Sequence, residues 1–279
     1  MPNPAVLRWT RIALVCAGIA CSSICGHVPA GAAELYGVQA LGDRYVIRLL
    51  DTDNPGSVRE LATIPNAPDE ELRGLVQFGD HRLVLLRTSL AAGESARARL
   101  KVLGVPGQLV GSQELAVSGL EPFASLDHLL VGWGARYYGL VSHYLDTPPY
   151  QLVTFHLGSR GISILKSLDM PAQARYANLT QCPDGAIYAT SLAPQQDTRL
   201  VKLDPESAQV TDLSPLTLNG RTLPNDLSGL ACDPSGQLYA LADPQRRGTA
   251  SLFAVDAATG ALRWVTDFAA DKMTFVTGR

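Results

Sequence analysis

A short apolar strand signal returns about every fifty residues along this chain. It reads Leu35-Tyr36-Gly37-Val38, Leu83-Val84-Leu85-Leu86, Tyr137-Tyr138-Gly139-Leu140, Ile187-Tyr188-Ala189-Thr190 and Leu238-Tyr239-Ala240-Leu241. Taking the second residue of each, positions 36, 84, 138, 188 and 239 are separated by 48, 54, 50 and 51. A fixed period of that size marks an array of equivalent supersecondary units, and strand-rich units at that period predict an all-β fold, the β-propeller.

The last full repeat shows what one unit contains. Gly229-Leu230-Ala231-Cys232 is a short apolar strand ended by the turn Asp233-Pro234-Ser235-Gly236, and Leu238-Tyr239-Ala240-Leu241 is the second strand. After a polar loop come Ser251–Asp256, the turn Ala257-Ala258-Thr259-Gly260, and a fourth strand over Leu262–Thr266. Four short antiparallel strands joined by Gly, Pro and Asp turns make one blade.

The same register holds elsewhere. Leu75, Leu129, Leu179 and Leu230 each lie nine residues before the matching residue of a second strand. Fourth strands are expected near Val58–Ile64, Leu109–Leu115, Ile162–Leu168, Val210–Leu213 and Leu262–Phe268. The segment from Glu34 opens directly on a second strand, so the first blade lacks its innermost one. The surplus apolar segment Met273–Thr277 can supply it and close the ring without leaving an open edge. The count is five blades, and a sixth would need about fifty more residues.

Residues 1–33 read as a secretory signal peptide, and 34–279 as a single propeller domain. Arg8 and Arg11 precede the apolar run Ile12–Ile24, and Ala30-Gly31-Ala32-Ala33 offers a small-residue cleavage site. Lipidation at Cys21 or Cys25 is disfavoured, because Gly18 and Ser22 stand where a lipobox needs a branched aliphatic residue. No second apolar run approaches the roughly twenty residues of a membrane span. The expected location is therefore periplasmic or extracellular. A net charge of −3 with no Lys/Arg block argues against a nucleic-acid partner.

Cys182 and Cys232 occupy nearly the same place in successive repeats. Equivalent positions on neighbouring blades are expected to lie beyond the roughly 7 Å Cα limit for a disulfide. The sequence therefore favours two small thiols packed between blades.

The resemblances are at the level of single blades. Gly229–Leu241 resembles the inner hairpin of six- and seven-bladed bacterial repeat families. Ala254-Val255-Asp256-Ala257-Ala258-Thr259-Gly260-Ala261-Leu262-Arg263-Trp264 is similar to the A-x-D-x-x-T-G-x-x-x-W docking motif of quinoprotein-like propellers. That likeness implies a turn made by Asp256 and Gly260 and a Trp264 packed between blades. It occurs once and implies a fold, not a quinone cofactor. Pro224-Asn225-Asp226 resembles the Pro-Asn-Asp element of gluconolactonase-type propellers. There the likeness implies Asn225 and Asp226 as ligands of one Ca or Mg ion that would polarise a lactone carbonyl. Glu34 and Glu71 match that family's N-terminal Glu ligand poorly, and that family has six blades.

Chemistry would sit on the face carrying the long polar loops: those joining strand four to the next strand one, and strand two to strand three. Glu71, Ser125, Arg175 and Asp226 each stand four residues before a register leucine, so the ring should bring them toward one mouth. His128 and Asn178 stand one residue before theirs, where other blades carry Gly74 and Gly229. His143, with Tyr144 and Asp146, is on a loop of the same face. Among the histidines no H-x-x-x-H spacing occurs, and there is no G-x-S-x-G elbow. The reading is a binding or scaffold module without a cofactor, recognising a protein, a peptide, a glycan or a small polar ligand. Its candidate ligand-binding residues are Glu71, Arg175, Asn178, Asn225, Asp226 and His143. The alternative is a metal-dependent hydrolase or lactonase.

Overall fold

The computed structural model describes residues 33–67, 70–77, 82–89, 97–104, 114–121, 123–132, 136–144, 147–158, 161–223 and 227–275. The expected signal peptide lies outside them apart from Ala33, as does the Pro224-Asn225-Asp226 element.

Strands such as Leu83-Val84-Leu85-Leu86 are apolar at every position, and the architecture explains why. Successive side chains of a strand point to opposite faces. Leu83 and Leu85 enter one buried cluster with Tyr36 and Leu75, while Val84 and Leu86 enter another with Leu126 and Val153. A sheet covered on both faces needs apolar residues on both. Among the described residues five such clusters occur, each filling the gap between two adjacent blades.

From the axis outward, the first blade consists of β22 (Lys272–Phe275), β1 (Glu34–Leu41), β2 (Arg44–Asp51) and β3 (Val58–Pro65). The second is β4 (Glu70–Gln77), β5 (Arg82–Ser89), β6 (Arg97–Gly104) and β7 (Glu114–Ser118). The third runs β8 (Ser125–Gly132), β9 (Arg136–Tyr144), β10 (Thr147–Gly158) and β11 (Gly161–Asp169). The fourth runs β12 (Arg175–Gln181), β13 (Ile187–Leu192), β14 (Arg199–Leu203) and β15 (Val210–Pro215). A small hairpin, β16 (Thr217–Leu218) and β17 (Arg221–Thr222), then precedes β18 (Gly229–Cys232), β19 (Leu238–Ala242), β20 (Ser251–Val255) and β21 (Ala261–Asp267) of the fifth.

The innermost strands touch in the cyclic order β4, β8, β12, β18, β22 and back to β4. β22 pairs antiparallel with β1, placing Phe275 opposite Leu35 and Lys272 opposite Val38. The ring is closed by the far end of the chain, as the sequence implies.

Three expectations need correction. The outer strand described in the second blade is Glu114–Ser118, which runs past the expected Leu109–Leu115; residues 109–113 lie outside the described residues. It pairs in parallel with the outer strand of the third, so these two blades form one eight-stranded sheet. The long connection Leu216–Ser228 is not all loop: its β16 pairs in parallel with β21. Both parallel pairings arise where the chain leaves one blade and passes the start of the next blade's outer strand. There Ser118 Oγ donates to the Ile162 carbonyl at 2.9 Å and Ser214 Oγ to the Ala258 carbonyl at 3.0 Å.

The third correction concerns the cysteines. Cys182 and Cys232 are joined in a disulfide, with their Cα atoms 5.2 Å apart. The expected separation fails because both residues end innermost strands, where the blades converge. The Cys232 amide donates to Thr180 Oγ1 at 3.1 Å in the same seam.

Gly260 accounts for the docking-motif turn. Its φ is +72°, and a Cβ there would lie 2.2 Å from the Pro215 carbonyl oxygen of the preceding blade. The turn needs both the left-handed backbone and the missing side chain, because the neighbouring chain passes directly over it. Gly260→Ala is therefore expected to cost more than the roughly 1–2 kcal/mol of left-handed backbone alone. Urea unfolding checks this, and a loss under 0.5 kcal/mol, about the size of an ordinary surface change, would refute it.

Trp264 departs from the motif's implication. It is 55 % exposed rather than packed between blades. Its indole lines a groove with Leu218 and Asn219 of the added hairpin and with Pro244, Gln245 and Arg247 of the loop after β19.

Candidate site at the channel mouth

Strand register sets which residues face the axis at one level. Gly74 pairs with Leu86, His128 with Leu140, Gly229 with Leu241 and Lys272 with Val38. Each partner lies two residues after the repeat position in its second strand. In the fourth blade the equivalent residue, Thr190, pairs with Ala177 just before a register shift to Thr180, and Asn178, inside that shift, lines the channel. One level of the channel therefore presents Gly74, His128, Asn178, Gly229 and Lys272. These five, with Arg73 and their flanking residues, line a cavity of ≈ 30 Å³.

Irregular backbone shapes this level. β4 shifts register between Leu72 and Gly74, and β8 between Leu126 and His128, leaving Arg73 and Asp127 as the extra residues. Bulges of this kind re-aim side chains and are common beside functional sites. Asn178 sits at φ +56°, and its amide nitrogen donates to the Leu227 carbonyl at 2.8 Å and to Thr190 Oγ1 at 3.1 Å. These bonds explain why a non-glycine residue tolerates the left-handed backbone. They also hide the Asn178-Leu179-Thr180 sequon, since Asn178 is buried.

Of the ring glycines, Gly229 is tightly placed, a Cβ there lying 3.3 Å from Leu241 Cδ1, whereas Gly74 is not sterically forced. A Cβ at Gly74 would meet Leu86 Cβ at 3.5 Å, an ordinary contact.

Two cationic side chains, Arg73 and Lys272, stand at this level, and both are engaged. Lys272 Nζ donates to the Ser228 carbonyl at 3.0 Å, and Arg73 is paired with Glu71 at 2.8 Å. His128 is only 8 % exposed, and among the described residues no hydrogen bond reaches its imidazole. Burial above all, then the charges of Lys272, Arg175 and Arg73, holds its pKa well below the usual histidine range. The ring is neutral at pH 7. Asp127 is held by the third blade. It is fully buried, accepting from Ser125 Oγ at 2.7 Å and from the Ser142 amide at 3.2 Å.

The sequence-derived candidates separate accordingly. Asn178 is buried and lines the channel cavity, whereas Arg175 is half-buried and does not line it, lying within electrostatic reach of His128. Glu71 is exposed and engaged with Arg73. Ser125 does not reach the mouth, because it is buried in the third blade with Ser142 at 3.0 Å. His143 is exposed near the end of β9. Asn225 and Asp226 lie outside the described residues. Register reading missed Arg73, Asp127 and Lys272. Lys272 could have been found, since Val38 stands in its repeat where Leu86, Leu140 and Leu241 stand in theirs.

Among the described residues no three His, Cys, Asp or Glu side chains converge as a metal site.

No family profile matches the chain, and no curated protein does. Solved structures share its fold. A protein of unknown function from Bacteroides caccae superposes with a TM-score of 0.51 at 12 % identity, covering 88 % of this chain and 100 % of that one. A candidate 6-phosphogluconolactonase from Bacteroides uniformis gives a TM-score of 0.46 at 14 % identity over 87 % of this chain and 85 % of that one. TolB from Acinetobacter baumannii gives 0.45 at 12 % identity, over 87 % and 66 %.

Proposed function

We propose that the chain is an exported propeller that acts as a binding module, taking a small polar ligand or the tip of a larger one at the mouth of its channel. One observation carries this reading: polar and cationic side chains from β4, β8, β12 and β22 converge at one level of an otherwise apolar ring. A few polar groups placed in a concave site fix the orientation of a ligand. Export is supported by the Cys182–Cys232 disulfide, a bond at home in oxidising compartments.

Hydrogen exchange with candidate glycans and peptides tests the reading. Protection is expected to gather in Glu70–Leu75, Arg175–Leu179 and Lys272–Phe275. Protection confined to the outer strands overturns it, as does calcium-dependent turnover of a lactone panel. The latter result would favour the hydrolase alternative through Asn225 and Asp226.

A further inference from the structure

The fifth blade carries a groove at its outer strand, away from the residues that line the channel. Leu262 and Trp264 share one face of β21, and Trp264 pairs across the sheet with Phe253. Leu262 and Phe253 are buried in the cluster between the fourth and fifth blades. Trp264 thus continues an interblade apolar face, yet it is more than half exposed, bordered by Leu218 and Asn219 of the hairpin β16–β17. The groove over it measures ≈ 420 Å³, inside the roughly 300–1,000 Å³ of small-molecule sites.

Its polar rim is fixed by local hydrogen bonds. Asp243 accepts from the amides of Arg247 at 2.9 Å and Gly248 at 2.7 Å, which sets the loop after β19. The Arg247 guanidinium donates to Ser251 Oγ at 3.0 Å and to Asp267 Oδ1 at 3.1 Å. Ser251 Oγ donates to the same Asp267 oxygen at 2.8 Å. Hydrogen bonds from Ser251, then Arg247, and last from the Trp264 indole hold the Asp267 carboxyl below the usual carboxylate range. Arg247 and Asp267 therefore offer a donor and an acceptor that neutralise each other. The exposed amides of Asn219 and Gln245 each add another donor and acceptor. Arg263 also borders the groove, from a strand position that alternates to the other face of the sheet.

We propose that this groove is a carbohydrate subsite, in which a neutral gluco-configured pyranose of an oligosaccharide stacks on the Trp264 indole. Such a ring carries weakly positive C–H bonds on its flat faces and hydroxyls around its edge. The C–H bonds suit the negative face of an indole. Each hydroxyl both donates and accepts, and so do the groups around the tryptophan. A proline-rich peptide also stacks on tryptophan, but its imide nitrogens have no hydrogen to give Asp267 or the amide oxygens. A phosphorylated or sulfated ligand would meet Asp267 as a like charge. No residue lines both this groove and the channel mouth, so the subsite stands whether or not the mouth binds anything.

Cellopentaose and chitopentaose, both neutral, are the probes, and a decaproline peptide represents the competing class. Expected are saturable binding of at least one oligosaccharide by calorimetry and a matching change in tryptophan emission that is lost in Trp264→Phe. The affinity should be the same at low and high salt, because the ligand is uncharged. Trp264→Ala should weaken binding at least about tenfold, the scale of a truncated aromatic anchor, and Trp264→Phe by less. Gln245→Ala, at an exposed loop position, should weaken it severalfold. Thermal midpoints near that of wild type show that the variants are folded, and the Gln245 variant decides the matter should Trp264→Ala not fold. Absence of saturable binding by either oligosaccharide overturns the assignment, as does an affinity equal in wild type and both alanine variants. Decaproline binding at Trp264 with neither oligosaccharide bound would make the groove a peptide site and overturn it too. Hydrogen exchange keeps the two sites apart: protection of Asp243–Gly248 and Ala261–Asp267 marks the groove, and protection of Glu70–Leu75 and Arg175–Leu179 marks the mouth. An oligosaccharide that protects only the mouth sinks the groove and leaves the mouth reading standing.

Discussion

Replacing Cys182 and Cys232 together by alanine is expected to lower the unfolding free energy by about 4 kcal/mol. The bond spans a sequence separation of 50, and tying off a loop of that size restricts the unfolded chain by roughly this amount. Both cysteines are buried at innermost strand ends, so reduction should loosen the seam between the fourth and fifth blades first. Urea unfolding of the variant, beside wild type with and without reductant, checks both points. Reduced wild type should unfold at nearly the midpoint of the variant. A loss below about 1 kcal/mol would mean that the cross-link contributes little to holding the ring.

Arg87→Met is expected to be comparably severe, at about 3–5 kcal/mol, because it removes the charge partner of a buried carboxylate. Arg87 and Glu70 form an ion pair in which the side chains are 4 % and 5 % exposed. They lie between the first two blades, close to the phenol of the fully buried Tyr45. That phenol is held protonated, its pKa pushed up to about 12 by burial above all. It cannot replace the lost cation. The contrasting variant is Arg87→Met combined with Glu70→Leu, which removes both charges. Apolar replacement of a whole buried pair is often neutral, so the double variant should recover much of the loss. A double variant less stable than Arg87→Met alone would show that Glu70 is held by more than its charge partner.

The ring was legible in the sequence because each blade must bury both faces of its second strand. That demand leaves Tyr36, Val84, Tyr138, Tyr188 and Tyr239 at a regular interval. The closing role of Met273–Phe275 followed from a missing inner strand at one end and a surplus strand at the other. The site was only half legible. Asn178 and Arg175 were reachable because they sit at fixed offsets from register leucines. Arg73 and Asp127 were not, because a bulge inserts a residue without changing the surrounding pattern. The disulfide was misread because spacing along the chain does not show how closely blades crowd at the axis. Trp264 was misread because the hairpin β16–β17 lines the outer edge where the motif's tryptophan would find a neighbouring blade.

The seam between β22 and β1 also dictates when this molecule can become whole. Its first sheet borrows an innermost strand from Lys272–Phe275, so that sheet must wait, partly assembled, until those residues have been made. Joining contacts so distant along the chain demands a large loop closure, and folds dominated by such contacts are slow to form. A nascent chain halted before Lys272 would have every other inner strand in hand and still expose the edge of Leu35–Val38 to whatever strand came near.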